Sequence, residues 1–245
     1  MYQDFITGKS VAIVGPAAYM AGSGLGDEID SHDVVVRINR SIETIDEFEK
    51  DIGRRCDILY SCLIETPMQA GTIDPKYLRD RYDIKYICAP PASSMAGIAP
   101  EPRFHDMIDL KKLAKIREYI PVRLVDNVFH TNLASFVNCR PNTGFLAIYD
   151  LMVLRPSKLS VYGFSFYLDG FIKNCKSGIE EVAGISEIEF ANNAFNSKRH
   201  VQINMWNFAK DTLLTVPEVE LDDVLESILR METFSKEEFE RISHG

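Results

Sequence analysis

The chain is short of cysteine pairs, long apolar runs, positive charge and the glycine signatures of the common nucleotide folds, and each shortage removes a class of protein. Five cysteines, Cys56, Cys62, Cys88, Cys139 and Cys175, stand without CxxC spacing, and their odd number does not fit a secreted disulfide framework. Reduced thiols in a cytoplasmic setting are the expectation, and neither a zinc site nor a thiol nucleophile is signalled. No run approaches the roughly 20 apolar residues needed to cross a bilayer. The start, MYQDFITGKS, lacks the basic-then-apolar order of a signal peptide. With 27 basic against 36 acidic residues the formal net charge is −9, which opposes a nucleic-acid partner.

Two further absences narrow the chemistry. GxGxxG is missing directly after the first strand and GxxxxGK[ST] is missing altogether, so an NAD-binding oxidoreductase and a P-loop ATPase are both unsupported. No DxD pair stands at a strand end to hold a metal; Asp222 and Asp223 fall in a C-terminal helical stretch and read as a solvated face.

What is present is an ordinary globular composition, 46% hydrophobic and 26% charged over 245 residues, with no internal repeat and no visible domain boundary. A single domain over residues 1–245 is expected. Short β-rich runs alternate with helical stretches: Val11 to Val14, Val34 to Ile38, Asp57 to Tyr60, Lys85 to Cys88, Val122 to Val125 and Leu159 to Tyr162. Several are apolar throughout, as strands covered on both faces must be. The fold class is therefore α/β, a Rossmann-like, mostly parallel sheet flanked by helices.

Proline and small residues from Ala89 to Pro102 predict a long loop, either a plain connection or a wall beside a site. Helices are expected after Gly144 up to Arg155, over Val201 to Leu214 and Glu220 to Met231, and after a capping Ser235.

The first strand turns at Gly15 and is followed by Gly22, Gly24 and Gly26, glycines that let backbone N–H groups approach an anion. Alone, such a loop is also a tight turn of any α/β fold. The run GSGLGDEIDSHDVVVRIN, followed by Asp51-Ile52-Gly53-Arg54-Arg55, closely resembles the large sialylmotif of animal-type sialyltransferases, glycosyltransferase family 29. A second stretch, Arg140 to Phe166, with RPNTGFLAIYDLMVL and then LSVYGFSF, resembles the small sialylmotif. Asn142, Thr143 and Gly144 open a helix there, where the dipole favours a phosphate or carboxylate, although a plain helix cap has the same sequence.

The resemblance covers roughly residues 10 to 60 and 140 to 215. It implies a sialyltransferase-type variant of the GT-A fold and an inverting, metal-independent transferase of a soluble microbial or viral kind. That enzyme would use no cofactor, taking a CMP-sugar carrying sialic acid or Kdo as donor and a glycan or glycolipid as acceptor. Carried over residue by residue, it makes Gly15, Pro16 and Ala17 the first donor loop and Asn39 the best side-chain donor contact. Asn142, Thr143 and Gly144 become the phosphate or carboxylate site, and Tyr162 with Gly163 the pocket floor. His200 matches the histidine of the HxxxxE motif and would be the general base, kept available by its place at a helix start; a surface or capping histidine is the alternative. His32 is expected to order its turn.

The chain also departs from the family. Met205 stands at the motif's glutamate position, Pro16 to Tyr19 replace its asparagine-bearing loop, and the histidine–tyrosine pair after V-Y-G-F is missing. Backbone groups must then do more in the first loop, or donor contacts have moved. Lys173 is a cation that could hold the departing phosphate, or a solvated surface lysine. The family's cysteine pair is unmatched, with Ser10 and Arg155 in those neighbourhoods. These losses keep a second reading open, a catalytically silent module that binds CMP or a glycan. Linkage and oligomeric state are not legible.

Overall fold

The computed structural model describes residues 2–67, 69–90, 110–176 and 178–243, and a seven-stranded sheet runs through its centre. The strands are β1 (Ser10–Val14), β2 (Val34–Ile38), β3 (Ile58–Tyr60), β4 (Tyr86–Ala89), β5 (Val122–Leu124), β6 (Lys158–Tyr162) and β7 (Val219–Leu221). All pairings are parallel, in the order β5-β4-β3-β2-β1-β6-β7. The helices are α1 (Tyr2–Ile6), α2 (Gly26–Asp30), α3 (Ile45–Ile52), α4 (Pro75–Tyr82), α5 (Leu110–Arg117) and α6 (Asn127–Val137). They continue as α7 (Thr143–Val153), α8 (Ile179–Ala183), α9 (Glu187–Ser197), α10 (Arg199–Leu213), α11 (Asp223–Arg230) and α12 (Lys236–Ser243).

Alternation along each strand sends side chains to two apolar layers. Ile13, Val36 and Tyr60 point to the layer of α6, α7, α10 and α11, and Val14, Val35 and Leu59 to that of α2 to α5. Burial on both faces explains why these strands read as continuous apolar runs. All six expected strands form, with ends displaced by a residue at most. The seventh is not legible: β7 has three residues, none fully buried, and its last two open the stretch read as a helix from Glu220. That helix instead starts at Asp223, because Asp222 Oδ1 accepts the Leu225 N–H at 2.7 Å as its cap. Asp222 is buried, which corrects its reading as a solvated face. The final helix is capped as expected, Ser235 Oγ accepting from Glu238 N.

The large motif is mostly scaffold. Arg37, wholly buried, donates to the carbonyls of Ile52 (2.6 Å), Gly53 (2.9 Å) and Arg55 (3.0 Å), satisfying the open end of α3. Arg55 binds the carbonyls of Asp30, His32 and Asp33 and the carboxylate of Asp57. His32 joins Glu28 O to Ser160 Oγ and packs edge-on to Tyr162, so it orders its turn. Gly24 and Gly26 belong to this knot too, whereas Gly22 only turns the chain at φ 85°. A Cβ on Gly26 would meet Glu49 O at 2.2 Å, and the Gly24 N–H is held by Asp51 Oδ1 at 3.0 Å. They serve the packing of α2 on α3, not an anion.

The chain winds outward from β1 to β5, then returns so that β6 lies on the other side of β1. This reversal opens a crevice beyond the C-terminal ends of β1 and β6, where open α/β sheets bind ligands. The predicted loop from Ala89 ends β4 and continues as Pro90; its remainder, with His105, lies outside the described residues, as does His244.

Candidate active site

The crevice is a cavity of about 890 Å³. Its walls come from the loop after β1, the end of β2, the loops after β3 and β6, the N-terminus of α7 and the first turns of α10. Of the residues singled out from the sequence, Pro16, Ala17, Asn39, Asn142, Thr143, Gly144, Gly163 and His200 line it.

Three do not. Gly15 is turned into the sheet, its N–H bonded to Tyr162 O at 2.7 Å and its α-carbon against Gly163. The Tyr162 phenol leaves by the opposite face of the sheet to reach Glu28 Oε1 at 2.7 Å, because strand side chains alternate. Lys173 is on the surface, its side chain 74% exposed and 3.5 Å from Glu47 Oε1. The cation on that loop that does reach the cavity is Lys176, which is only 7% exposed.

The first loop is not an anion cradle. Ala17 N donates to Gly163 O (3.0 Å), Met20 N to Ala17 O (3.2 Å) and Tyr19 N to Asp169 Oδ2 (2.7 Å). Pro16 has no N–H to give. The Asp169 carboxylate thus takes up the Tyr19 N–H of this loop. Asp169 and Asp222 are linked through Tyr19, whose hydroxyl donates to Asp222 Oδ2 at 2.8 Å and accepts from Phe164 N at 3.1 Å. Burial raises the pKa of both carboxyls, against the lowering effect of these N–H donors.

Asn39, in the left-handed region at φ 46°, ends β2, and its Oδ1 accepts the Cys62 N–H at 2.9 Å. That bond fixes the amide, so its NH2 is the donor end of a side chain that lines the cavity. Asn142 is the cap of α7, Oδ1 accepting from Phe145 N at 2.8 Å, so its side chain is a structural element. The N–H groups of Thr143 and Gly144, in the first turn, have no partner inside the helix and border the cavity. A Cβ on Gly144 would meet Phe164 Cε1 at 2.7 Å and push that ring aside. His200 is exposed on the rim in the first turn of α10. Met205, at the glutamate position of the motif, is fully buried on the same helix and lines the cavity.

Sequence reasoning missed several walls. Phe164, Phe166, Tyr167, Phe171 and Phe190 form an aromatic side, with Phe171 and Phe190 stacked at 6.1 Å. Phe166 (φ 51°) and Tyr167 (φ 66°) are both left-handed, a strained conformation for aromatic residues that turns the loop around the crevice. The density of aromatics in GFSFYLDGF was the available signal. His130, on α6, also lines the cavity, and burial, then Arg140, lowers its pKa to about 4. Arg40, Arg140, Lys176 and Lys198 give the cavity a basic wall in a chain of net charge −9. Among the described residues no group of acidic, histidine and cysteine side chains is placed to hold a metal. Also among them, no helix is long and apolar enough to cross a membrane.

A family model described as glycosyltransferase family 29 (sialyltransferase) matches residues 7–92. Among solved structures, a variant of the sialyltransferase Cst-II in complex with CMP is 15% identical, covering 83% of this chain and 78% of its own, with a TM-score of 0.50. The sialyltransferase CstII from Campylobacter jejuni, in complex with the substrate analogue CMP-3FNeuAc, is 14% identical over 78% of each chain, TM-score 0.46. A mammalian sialyltransferase in complex with Gal-beta-1-3GalNAc-ortho-nitrophenol is 14% identical, covering 89% of this chain and 71% of its own, TM-score 0.46. The first of these likenesses establishes the α/β fold, and the family match bears out the resemblance read from the large motif.

Proposed function

We propose that this chain, a sialyltransferase-family protein over residues 7–92, is an enzyme that transfers a sialic acid or the related Kdo from a CMP-sugar to a glycan or glycolipid hydroxyl. The observation that carries this reading is the basic, aromatic-walled cavity at the reversal of strand order, with the start of α7 and His200 on it. An acidic protein concentrates cations there for an anionic ligand.

In this reading the cytidylate lies against Asn39 and the first N–H groups of α7. The acceptor oxygen attacks the anomeric carbon from the rim, the bond from that carbon to the phosphate oxygen breaks, and its electron pair stays on CMP. His200 takes the acceptor proton. A single displacement inverts the anomeric centre. The leaving group needs charge stabilisation and the nucleophile needs positioning, so neither a metal nor a cofactor enters the scheme.

Thermal unfolding with CMP, CMP-Neu5Ac, CMP-Kdo and, as control, NAD tests the donor site, because a ligand of the native state raises Tm. Stabilisation by a CMP compound and not by NAD is the expected result. The buried Met205 at the glutamate position favours the rival reading of a silent module. Release of CMP from a bound CMP-sugar identifies the enzyme; saturable binding with no release identifies the module.

A further inference from the structure

We infer that Lys176 is the side chain that meets the phosphate of the departing cytidylate. This rests on the donor site proposed above and adds to it a residue for which the matched motifs supply no counterpart.

The loop after β6 delivers this lysine by a definite mechanism. Glu187, in the first turn of α9, accepts the Asn174 N–H on Oε2 at 3.0 Å and the Lys176 N–H on Oε1 at 2.7 Å. Asn174 is left-handed at φ 66°, and Cys175 is buried. One carboxylate thus clamps the backbone on both sides of a tight turn. The turn leaves Lys173 in solvent and carries Lys176 inward.

The ammonium is held where it arrives. Nζ donates to Gln69 O at 3.4 Å and lies 5.2 Å from the centre of the Phe171 ring, a cation–π contact. Cys62, whose N–H is fixed by Asn39, lies in the electrostatic field of the same ammonium. Asn39, Cys62 and Lys176 line one cavity, with Arg140 a second cation acting on Cys62, so a nucleotide held by Asn39 shares that cavity with the Lys176 ammonium. Arg40 is the other buried cation of that region. Its guanidinium is committed to both oxygens of Glu43 and to Pro67 O, which leaves its charge largely neutralised.

Charge balance explains why a cation belongs there. In the CMP-sugar the phosphate is a diester with one negative charge. When the bond to the anomeric carbon breaks, the electron pair remains on the phosphate oxygen and the product is a monoester dianion. A compact ammonium on a dry wall stabilises the charge that develops in this step more than the charge already present. Burial lowers the pKa of Lys176, and a phosphate beside it favours the ammonium form.

The test is calorimetric binding of CMP and of cytidine to the wild type, Lys176→Met, Lys176→Gln and Lys173→Met. Methionine fills the buried stem without the charge, and glutamine serves if the methionine variant is unstable. Loss of a charge-assisted contact predicts CMP affinity lower by about 10- to 100-fold in either Lys176 variant. Cytidine affinity is unchanged in them, and Lys173→Met behaves as wild type. CMP binding by the Lys176 variants within a factor of about two of wild type overturns the inference and leaves the donor site standing. Equal losses for CMP and cytidine also overturn it, because they mean a deformed pocket. A wild type that binds no CMP removes the donor site and the inference together.

Discussion

Gly15 and Gly163 pack backbone against backbone where β1 and β6 end. A Cβ on Gly15 would stand 2.3 Å from Gly163 O, and one on Gly163 would stand 2.6 Å from Gly15 O. Together with Gly15 N to Tyr162 O at 2.7 Å and Ala17 N to Gly163 O at 3.0 Å, this crossing closes the floor of the crevice. The obstructing atoms are backbone and cannot swing aside. Gly15→Ala is expected to destabilise the protein by about 3 kcal/mol, the upper end for overpacking, read as a lower urea midpoint at unchanged slope. Gly22→Ala, at φ 85° with nothing within 4 Å, carries only conformational strain and loses about 1 kcal/mol. Equal losses in the two variants would contradict the crossing.

His200 is on the rim and makes no hydrogen bond that holds the fold. His200→Ala is expected to slow transfer by about 100- to 10,000-fold while CMP affinity and Tm stay at wild-type values. Retained turnover would remove the assigned base.

Asn39 divides its work between Cys62, through Oδ1, and the cavity, through its NH2. Asn39→Asp keeps the acceptor for the Cys62 N–H and replaces two donors by a carboxylate oxygen. CMP affinity should fall about tenfold with little change in stability. An affinity equal to wild type would mean that the amide donates to nothing in the complex.

His130 gives the fold an acid-side dependence whose sign follows from its pKa, lowered from 6.5 to about 4 by burial and Arg140. The unfolded chain takes up a proton at this residue below about 6.5, whereas the folded chain resists until about 4. The stability is therefore present above 6.5 and is lost as pH falls toward 4, by about 3 kcal/mol in all. His130→Leu should flatten the unfolding free energy across that window. Parallel profiles for the two proteins would contradict the shift.

Asp150 on α7 receives Arg123 Nη1 at 2.5 Å, Arg123 Nη2 at 2.9 Å and the Tyr60 hydroxyl at 2.6 Å, with Tyr2 O–H 3.1 Å beyond. Asp150→Ala takes the carboxylate from the half-buried Arg123 guanidinium and from the buried Tyr60 phenol and should lower stability by about 3 kcal/mol. Arg123→Met combined with Asp150→Leu should recover much of that loss, because it removes both charges at similar volume. A double variant no more stable than Asp150→Ala would mean that lost packing, not a stranded charge, sets the effect.

The sequence by itself determined six of the seven strands, the Ser235 cap and the family resemblance. Apolar patterning and capping act over a few residues: Val34 to Ile38 is a strand because both faces of it are covered, and Asn142 caps α7 because its side chain reaches Phe145 N. Tertiary structure decided which recognisable residues are chemical and which are masonry. The large motif reads as a nucleotide site, yet of its polar side chains only Asn39 and Arg40 reach the cavity, while His32, Arg37 and Arg55 tie loops together. Lys173 and Lys176 are indistinguishable as letters. A left-handed turn and a carboxylate contributed by α9 send the first into water and the second into the crevice, and the clamp forms only once α9 folds back on the loop that precedes it.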